Sequence, residues 1–205
     1  MPRSSSAPKA KRTHKPPAQR EAEILAIAAR VFASQGYRSV DVQQIADRAG
    51  VGKGTVYRYF PTKEGLFLAA LEHRLERLLE RVETAAACCD DPLDKIMAAI
   101  RAYIAYFQDH PETVELFIQE RAEFRDRATP LYFVYRARHR QQWLDLFAQL
   151  AAAGRMHADE TAVAFEMLGC LLYGYVLSRN TGGDAASSEP FERMFTLFLR
   201  GALTH

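Results

Sequence analysis

With 205 residues, 48% of them hydrophobic, the chain has apolar material for one large or two small domains, and a net charge of +2 excludes a protein that is cationic over its whole surface. Three cysteines, two of them adjacent at Cys88 and Cys89, give no disulfide framework, and without a Cys-x-x-Cys pair or clustered histidines no zinc site is expected. The charge is uneven: residues 1–65 hold 12 Lys/Arg against 5 Asp/Glu and residues 66–205 hold 15 against 20, so a basic front suited to a polyanion precedes an acidic rear.

Residues 1–17 are rich in Ser, Pro and Lys and read as a disordered basic tail, with Lys9, Lys11, Arg12 and Lys15 close to whatever the front binds. A first helix is expected over 18–35, where Ile24, Ile27, Ala28, Val31 and Phe32 form one apolar stripe and Gly36 closes the end. Asp41 caps a second helix that stops before Gly50; a third runs from Lys53 to Tyr59 and Pro61 ends it. Thr62 caps a long amphipathic helix to about Ala87, and Asp91-Pro92 starts another to about Gln108. Further helices are expected from His110-Pro111 to about Arg125, from Pro130 to about Ala153 as one long element closed by Gly154, from Ala158 to Asn180, and from Pro190 to Leu203 after a polar loop, Thr181 to Ser188. Nothing alternates with period two, so the fold class is all-α, about nine helices in all: a three-helix front over 18–64 and a helical body over 65–205. The N-terminus lacks an apolar signal core and no uninterrupted apolar run reaches the ~20 residues that cross a bilayer, which points to a soluble cytoplasmic protein.

The stretch from Val42 to Phe60 reads as two short helices around a tight turn, the second carrying small, aromatic and basic residues instead of an apolar stripe. That pattern suits a helix with one face on a core and the other in a DNA major groove. Gly52 and Gly54 keep its leading turn slim, and Lys53 offers a charged donor at the entrance. Thr55 can meet a base edge, a thymine methyl or a phosphate, and Tyr57 and Tyr59 carry hydroxyls that can reach phosphate oxygens. Lys63 stands at the start of the next helix, where amide N–H groups already favour phosphate. Gln43 and Gln44 are weaker candidates, facing either DNA or solvent, while Val56, Phe60, Ile45, Ala46 and Ala49 should tie the unit together.

Gly36-Tyr37, then Ile45-Ala46, then the run Ala49-Gly50-Val51-Gly52-Lys53-Gly54-Thr55-Val56-Tyr57-Arg58-Tyr59-Phe60-Pro61-Thr62-Lys63-Glu64, resemble the signature of the TetR family of transcriptional regulators over roughly residues 20–67. Gly52 and Val40 depart from it, standing where the family usually has Ser or Thr and often has Thr. The resemblance implies about six further helices for ligand binding and dimerisation. It implies a homodimeric repressor of palindromic double-stranded DNA, released by a small molecule. It also makes Lys53, Gly54, Thr55, Tyr57, Tyr59 and Lys63 the DNA contacts.

The body offers two more candidate surfaces. Phe165, Leu168, Leu172 and Val176 form one stripe and Phe191, Met194, Phe195, Phe198 and Leu199 another; in the resembled family the last two helices make a four-helix bundle across a two-fold axis, so these residues are expected at a dimer interface. Aromatics crowd the middle helices, and Tyr103, Phe107, Phe117, Phe124, Trp143 and Phe147, with Glu120 and His139 as polar partners, line either a cavity for an apolar or aromatic ligand or plain core. Tyr106, Tyr132, Phe133 and Tyr135 belong to the same crowd, and Arg136 and Gln142 are further polar candidates. No Gly-rich phosphate loop, nucleophile elbow or metal-ligand cluster appears, and Asp90-Asp91 before Pro92 reads as a helix cap; no catalytic residue, cofactor or metal is expected. An activator with the same module, or a thiol sensor using Cys88 and Cys89, stands as the alternative.

Overall fold

The computed structural model describes residues 16–179 and 189–202, so the basic residues Lys9, Lys11, Arg12 and Lys15 and the Thr181–Ser188 loop lie outside the described residues. Ten α-helices are present among those described: α1 (Pro17–Gln35), α2 (Val42–Arg48), α3 (Lys53–Tyr59), α4 (Lys63–Ala87), α5 (Pro92–Asp109), α6 (Glu112–Glu123), α7 (Leu131–Arg138), α8 (Arg140–Ala152), α9 (Thr161–Arg179) and α10 (Glu189–Ala202). The fold is all-α.

The capping residues set the boundaries. Asp41 accepts the Gln43 N–H at 2.9 Å, Thr62 the Gly65 N–H at 2.9 Å, and Asp91 the Leu93 and Asp94 N–H groups at 2.9 and 3.1 Å. Gly36 ends α1 at φ 79°, a left-handed conformation that glycine adopts without steric cost. One expected boundary differs. The single helix foreseen from Pro130 to Ala153 breaks at His139, whose φ of −101° and ψ of 9° are not helical. No Pro or Gly marks the break; tertiary ties hold α7 and α8 separately, so the sequence carries no local signal for it.

One continuous apolar core runs through the chain. In the front, Ile24, Val31 and Phe32 of α1, Ile45 and Ala46 of α2 and Val56 of α3 are fully buried. Helix α4 joins front to body: Leu66, Phe67, Ala70 and Leu71 pack at its start, and its remaining turns lie against α5 and α7. The seam is closed by ring contacts of Tyr37 with Phe67 (5.4 Å) and Phe124 (5.0 Å), a Gln119 hydrogen bond to the Phe32 carbonyl (2.9 Å) and the Arg38–Glu123 ion pair (2.8 Å). Arg74 of α4 is buried and paired with Glu112 of α6 at 2.6 Å. The segment Ala158–Ser178, which contains most of α9, is long and apolar enough to cross a membrane by length and composition, although Glu166 interrupts its apolar run. Here Phe165, Leu168, Tyr175 and Val176 of that segment lie in the core.

Candidate functional site

The α2–α3 unit is held from inside and bare outside. Gly50, at φ 65°, turns the chain, and the Val51 N–H closes back onto the Ala46 carbonyl at 3.0 Å. Val56 and Phe60 then anchor α3, leaving Gly52, Gly54, Tyr57 and Arg58 exposed. Tyr57 keeps 38% of its surface free. Tyr59 is half-buried against Phe60 with the Arg58 guanidinium over its ring (5.5 Å), and Thr55 is also half-buried. Lys53 reaches the Asp41 carboxylate at 2.8 Å. The Gln43 amide first, then Lys53, holds that carboxyl below its ordinary range. Lys63 donates to the Arg38 carbonyl at 3.1 Å and lies over the Tyr37 ring, which holds it against the connection between α1 and α2. Gln43 and Gln44 are exposed on α2, with Gln43 donating to Asp47 at 2.7 Å. A Cβ on Gly52 or Gly54 meets nothing within 4 Å, so packing within the chain does not require glycine at either position. Arg48 and Arg58, exposed on the same unit, were not singled out from sequence; Arg58 follows Gly54 by four residues, the helical spacing that could have revealed it.

A cavity of about 160 Å³ lies between α4, α5, α7, α8 and α9. Leu75, Leu78, Leu79 and Val82 supply one wall, Ile96, Ala99, Ile100 and Tyr103 a second, and Tyr132, Tyr135, Arg136, His139, Trp143, Phe147, Phe165, Leu168, Gly169 and Leu172 the rest. Of the sequence candidates, Tyr103, His139, Trp143 and Phe147 line it. The other four are elsewhere. Phe107 lies tilted against Tyr103 and Phe117 in the core, Phe117 packs on Tyr132, and Phe124 belongs to the seam with Tyr37 and Phe67. Glu120 accepts the Leu131 N–H at 3.0 Å and faces a separate polar cleft with Arg121, Arg125 and Arg127; burial pushes its carboxyl up. Aromatic content marked the region, but the choice of which rings face the void is made by packing.

The cavity's few polar groups are mostly committed. The Tyr135 hydroxyl donates toward Glu72 (3.1 Å) and Glu76 (3.3 Å) of α4, and burial followed by those carboxylates pushes it well up. Arg136 donates to Glu166 at 2.7 Å and lies over the Phe165 ring, and its guanidinium fills the space a Cβ on Gly169 would need. Burial raises the Glu166 carboxyl, but hydrogen bonds from Arg140 and Arg136 outweigh it and hold the group low. Gln142 donates to Glu83 at 2.7 Å, with His139 3.7 Å from the same carboxylate. Tyr103 and Tyr132 hydroxyls meet each other at 3.1 Å, both buried. Cys88 and Cys89 are free thiols at the end of α4, Cys88 exposed and bonded to the Thr84 carbonyl.

The family model for bacterial regulatory proteins, tetR family, matches residues 24–70, the segment that folds as α1–α3 and the start of α4. The transcriptional repressor KstR2 of Mycolicibacterium smegmatis is 28% identical over 189 residues, spanning 90% of this chain and 91% of that protein. The chain belongs to the tetR family of bacterial regulatory proteins. The transcriptional activator FasR of the same organism is 30% identical over 101 residues, 49% of this chain, which spans only 46% of FasR. A solved structure described as "Molecular basis for control of antibiotic production by a bacterial hormones" superposes with a TM-score of 0.77 at 25% identity, covering 93% of this chain and all of that one. The relatives of this tetR-family chain are helix-turn-helix transcriptional regulators, repressors and activators alike, and not enzymes.

The last two helices of this tetR-family protein differ from the sequence reading in which face is free. Phe165, Leu168, Val176, Phe191 and Phe195, expected at an interface, are buried within the chain, and Leu172 and Phe198 are half-buried. Among the described members of that set only Met194 is exposed, and the Leu199 side chain lies outside those described. The uncovered apolar side of α9 is instead Val163 (59% exposed), Met167, Cys170 and Gly174, and Leu197 of α10 is 67% exposed. Because α9 is apolar nearly all round, its period does not tell the inner stripe from the outer.

Proposed function

We propose that this protein is a homodimeric, sequence-specific DNA-binding repressor, acting in the cytoplasm, whose grip on a palindromic operator is released by a small apolar or aromatic molecule. In this reading residues 18–64 are the DNA-reading head and residues 65–205 the sensing and dimerising body. Lys53, Gly54, Thr55, Tyr57, Tyr59 and Lys63 meet the duplex, with Gln43 and Gln44 at the edge; the exposed Arg48 and Arg58 join them. The ligand occupies the cavity bounded by Tyr103, His139, Trp143 and Phe147. Two copies meet through the free faces of α9 and α10, which sets two heads about 34–36 Å apart or a multiple of it, as a palindrome requires.

The observation that carries this reading is the continuity of α4. Its first turns, Leu66, Phe67 and Ala70, are packed in the head, and its later turns, Leu75, Leu78, Leu79 and Val82, wall the cavity. A molecule that pushes on the wall tilts the same helix that seats the head. The activator name of FasR supports the opposite sign of control, and a reporter assay separates the two.

Genome-wide mapping of bound sites with purified protein tests the reading: footprints should be palindromic, and an asymmetric single half-site rules the dimer out. Cys170 tests the interface separately. In a Cys88→Ser, Cys89→Ser background, a short bismaleimide should join two copies through Cys170; failure to cross-link at concentrations where the protein sediments as a dimer places the interface elsewhere.

A further inference from the structure

We propose that the cavity selects a neutral, mostly apolar molecule carrying one hydrogen-bond acceptor, such as a ketone or ester carbonyl, which docks on the Tyr103–Tyr132 hydroxyl pair. This rests on the reading of the cavity as the effector site and adds the chemistry of what it takes.

Each tyrosine hydroxyl carries one donor hydrogen. The two oxygens are 3.1 Å apart and share one hydrogen bond, so one of the two hydrogens is used and the other has no acceptor among the described residues. Both rings are buried, and both line the cavity. A buried donor left unpaired is costly, so an acceptor placed there gains more than it does on an exposed surface. The wall's arginine is already engaged: Arg136 donates to Glu166 at 2.7 Å. His139 stands 3.7 Å from Glu83, and Tyr135 is committed to Glu72 and Glu76. An anion therefore has to draw these groups away from their carboxylates, whereas a neutral acceptor finds a free hydrogen. The volume sets the scale: about 160 Å³ is close to the ~150 Å³ cavity that holds benzene.

The test compares 1-tetralone with tetralin, two bicyclic frames that differ by one carbonyl, titrated calorimetrically into the full-length protein. Trp143, the chain's sole tryptophan, stands on the cavity wall and reports by fluorescence where each binds. The ketone should bind about tenfold more tightly, the usual worth of one hydrogen bond in a dry site. In Tyr103→Phe plus Tyr132→Phe the preference should vanish while tetralin still binds. The wild-type comparison stands even if the double variant folds poorly. Equal affinities for the two probes overturn the inference and leave the effector-cavity reading standing, as does 1-naphthoate binding more tightly than the ketone. No binding of either probe, with Trp143 emission unchanged, overturns both.

Discussion

The two ends of α4 carry similar leucine-rich stripes and lie in different surroundings. At the head end Leu66, Phe67, Ala70 and Leu71 are sealed from solvent, with the Phe67 ring wedged among Phe32, Tyr37 and Phe124. At the cavity end Leu75, Leu78, Leu79 and Val82 face a void on one side. A fully enclosed side chain has little freedom to shift, because every neighbour is in contact with it; one bordering a void can move into it. The head end is therefore the fixed seat and the cavity end the deformable one.

The largest effect that can break this contrast is a truncation at each end. Phe67→Ala should cost about 3–5 kcal/mol of stability. Leu78→Ala, whose side chain already borders open space, should cost less than half as much in the same thermal or denaturant melts; equal losses remove the distinction. Next, Tyr57→Ala plus Lys63→Ala should weaken operator binding by about tenfold or more, since charge-assisted phosphate bonds are worth ~1.5–3 kcal/mol each. Each lost Lys63 contact should also lower the salt slope by about one. Gel-shift titrations at several ionic strengths measure both, and unchanged binding refutes the contact assignment.

Gly54→Ala sharpens the comparison further. The free protein has room for the methyl and should gain about 0.5–1 kcal/mol of helix stability, yet operator affinity should fall if α3 approaches the duplex closely. A gain in stability with no loss of affinity means that the approach is not close. The smallest effect concerns acid. The Asp41 carboxyl is held low by the Gln43 amide and Lys53, so its contribution is present above the ordinary carboxylate range and disappears as pH falls through the depressed value. Asp41→Asn keeps a cap but loses the charge, so the difference in Tm from the parent should shrink toward zero as the solution is acidified.

Local chemistry made much of this fold readable in the sequence. Asp41, Thr62 and Asp91 announce helix starts because their side chains satisfy free amides, and Gly36 announces an end because of its backbone freedom. The bare face of α3 was readable for a related reason: a short helix holding Gly54, Tyr57 and Arg58 has too little apolar surface to bury all round. What depends on distant partners was not. The break at His139 is fixed by ties to α4 and α9, and Phe107, Phe117 and Phe124 resemble cavity residues until packing turns them into the core. The inner and outer stripes of α9 are equally apolar, so Phe165 and Leu168 could not be told from Val163 and Met167.

The missing side chain at Gly169 acts as a keyhole. The Arg136 guanidinium occupies it, so α7 cannot slide along α9 without first withdrawing that group and releasing Glu166. A molecule that nudges Arg136 therefore pulls on the helix whose opposite side, with Val163 and Met167, is exposed. On the proposed two-fold arrangement, filling one protomer strains the handshake with its twin, and an alanine at 169 evicts the guanidinium and opens the latch in both.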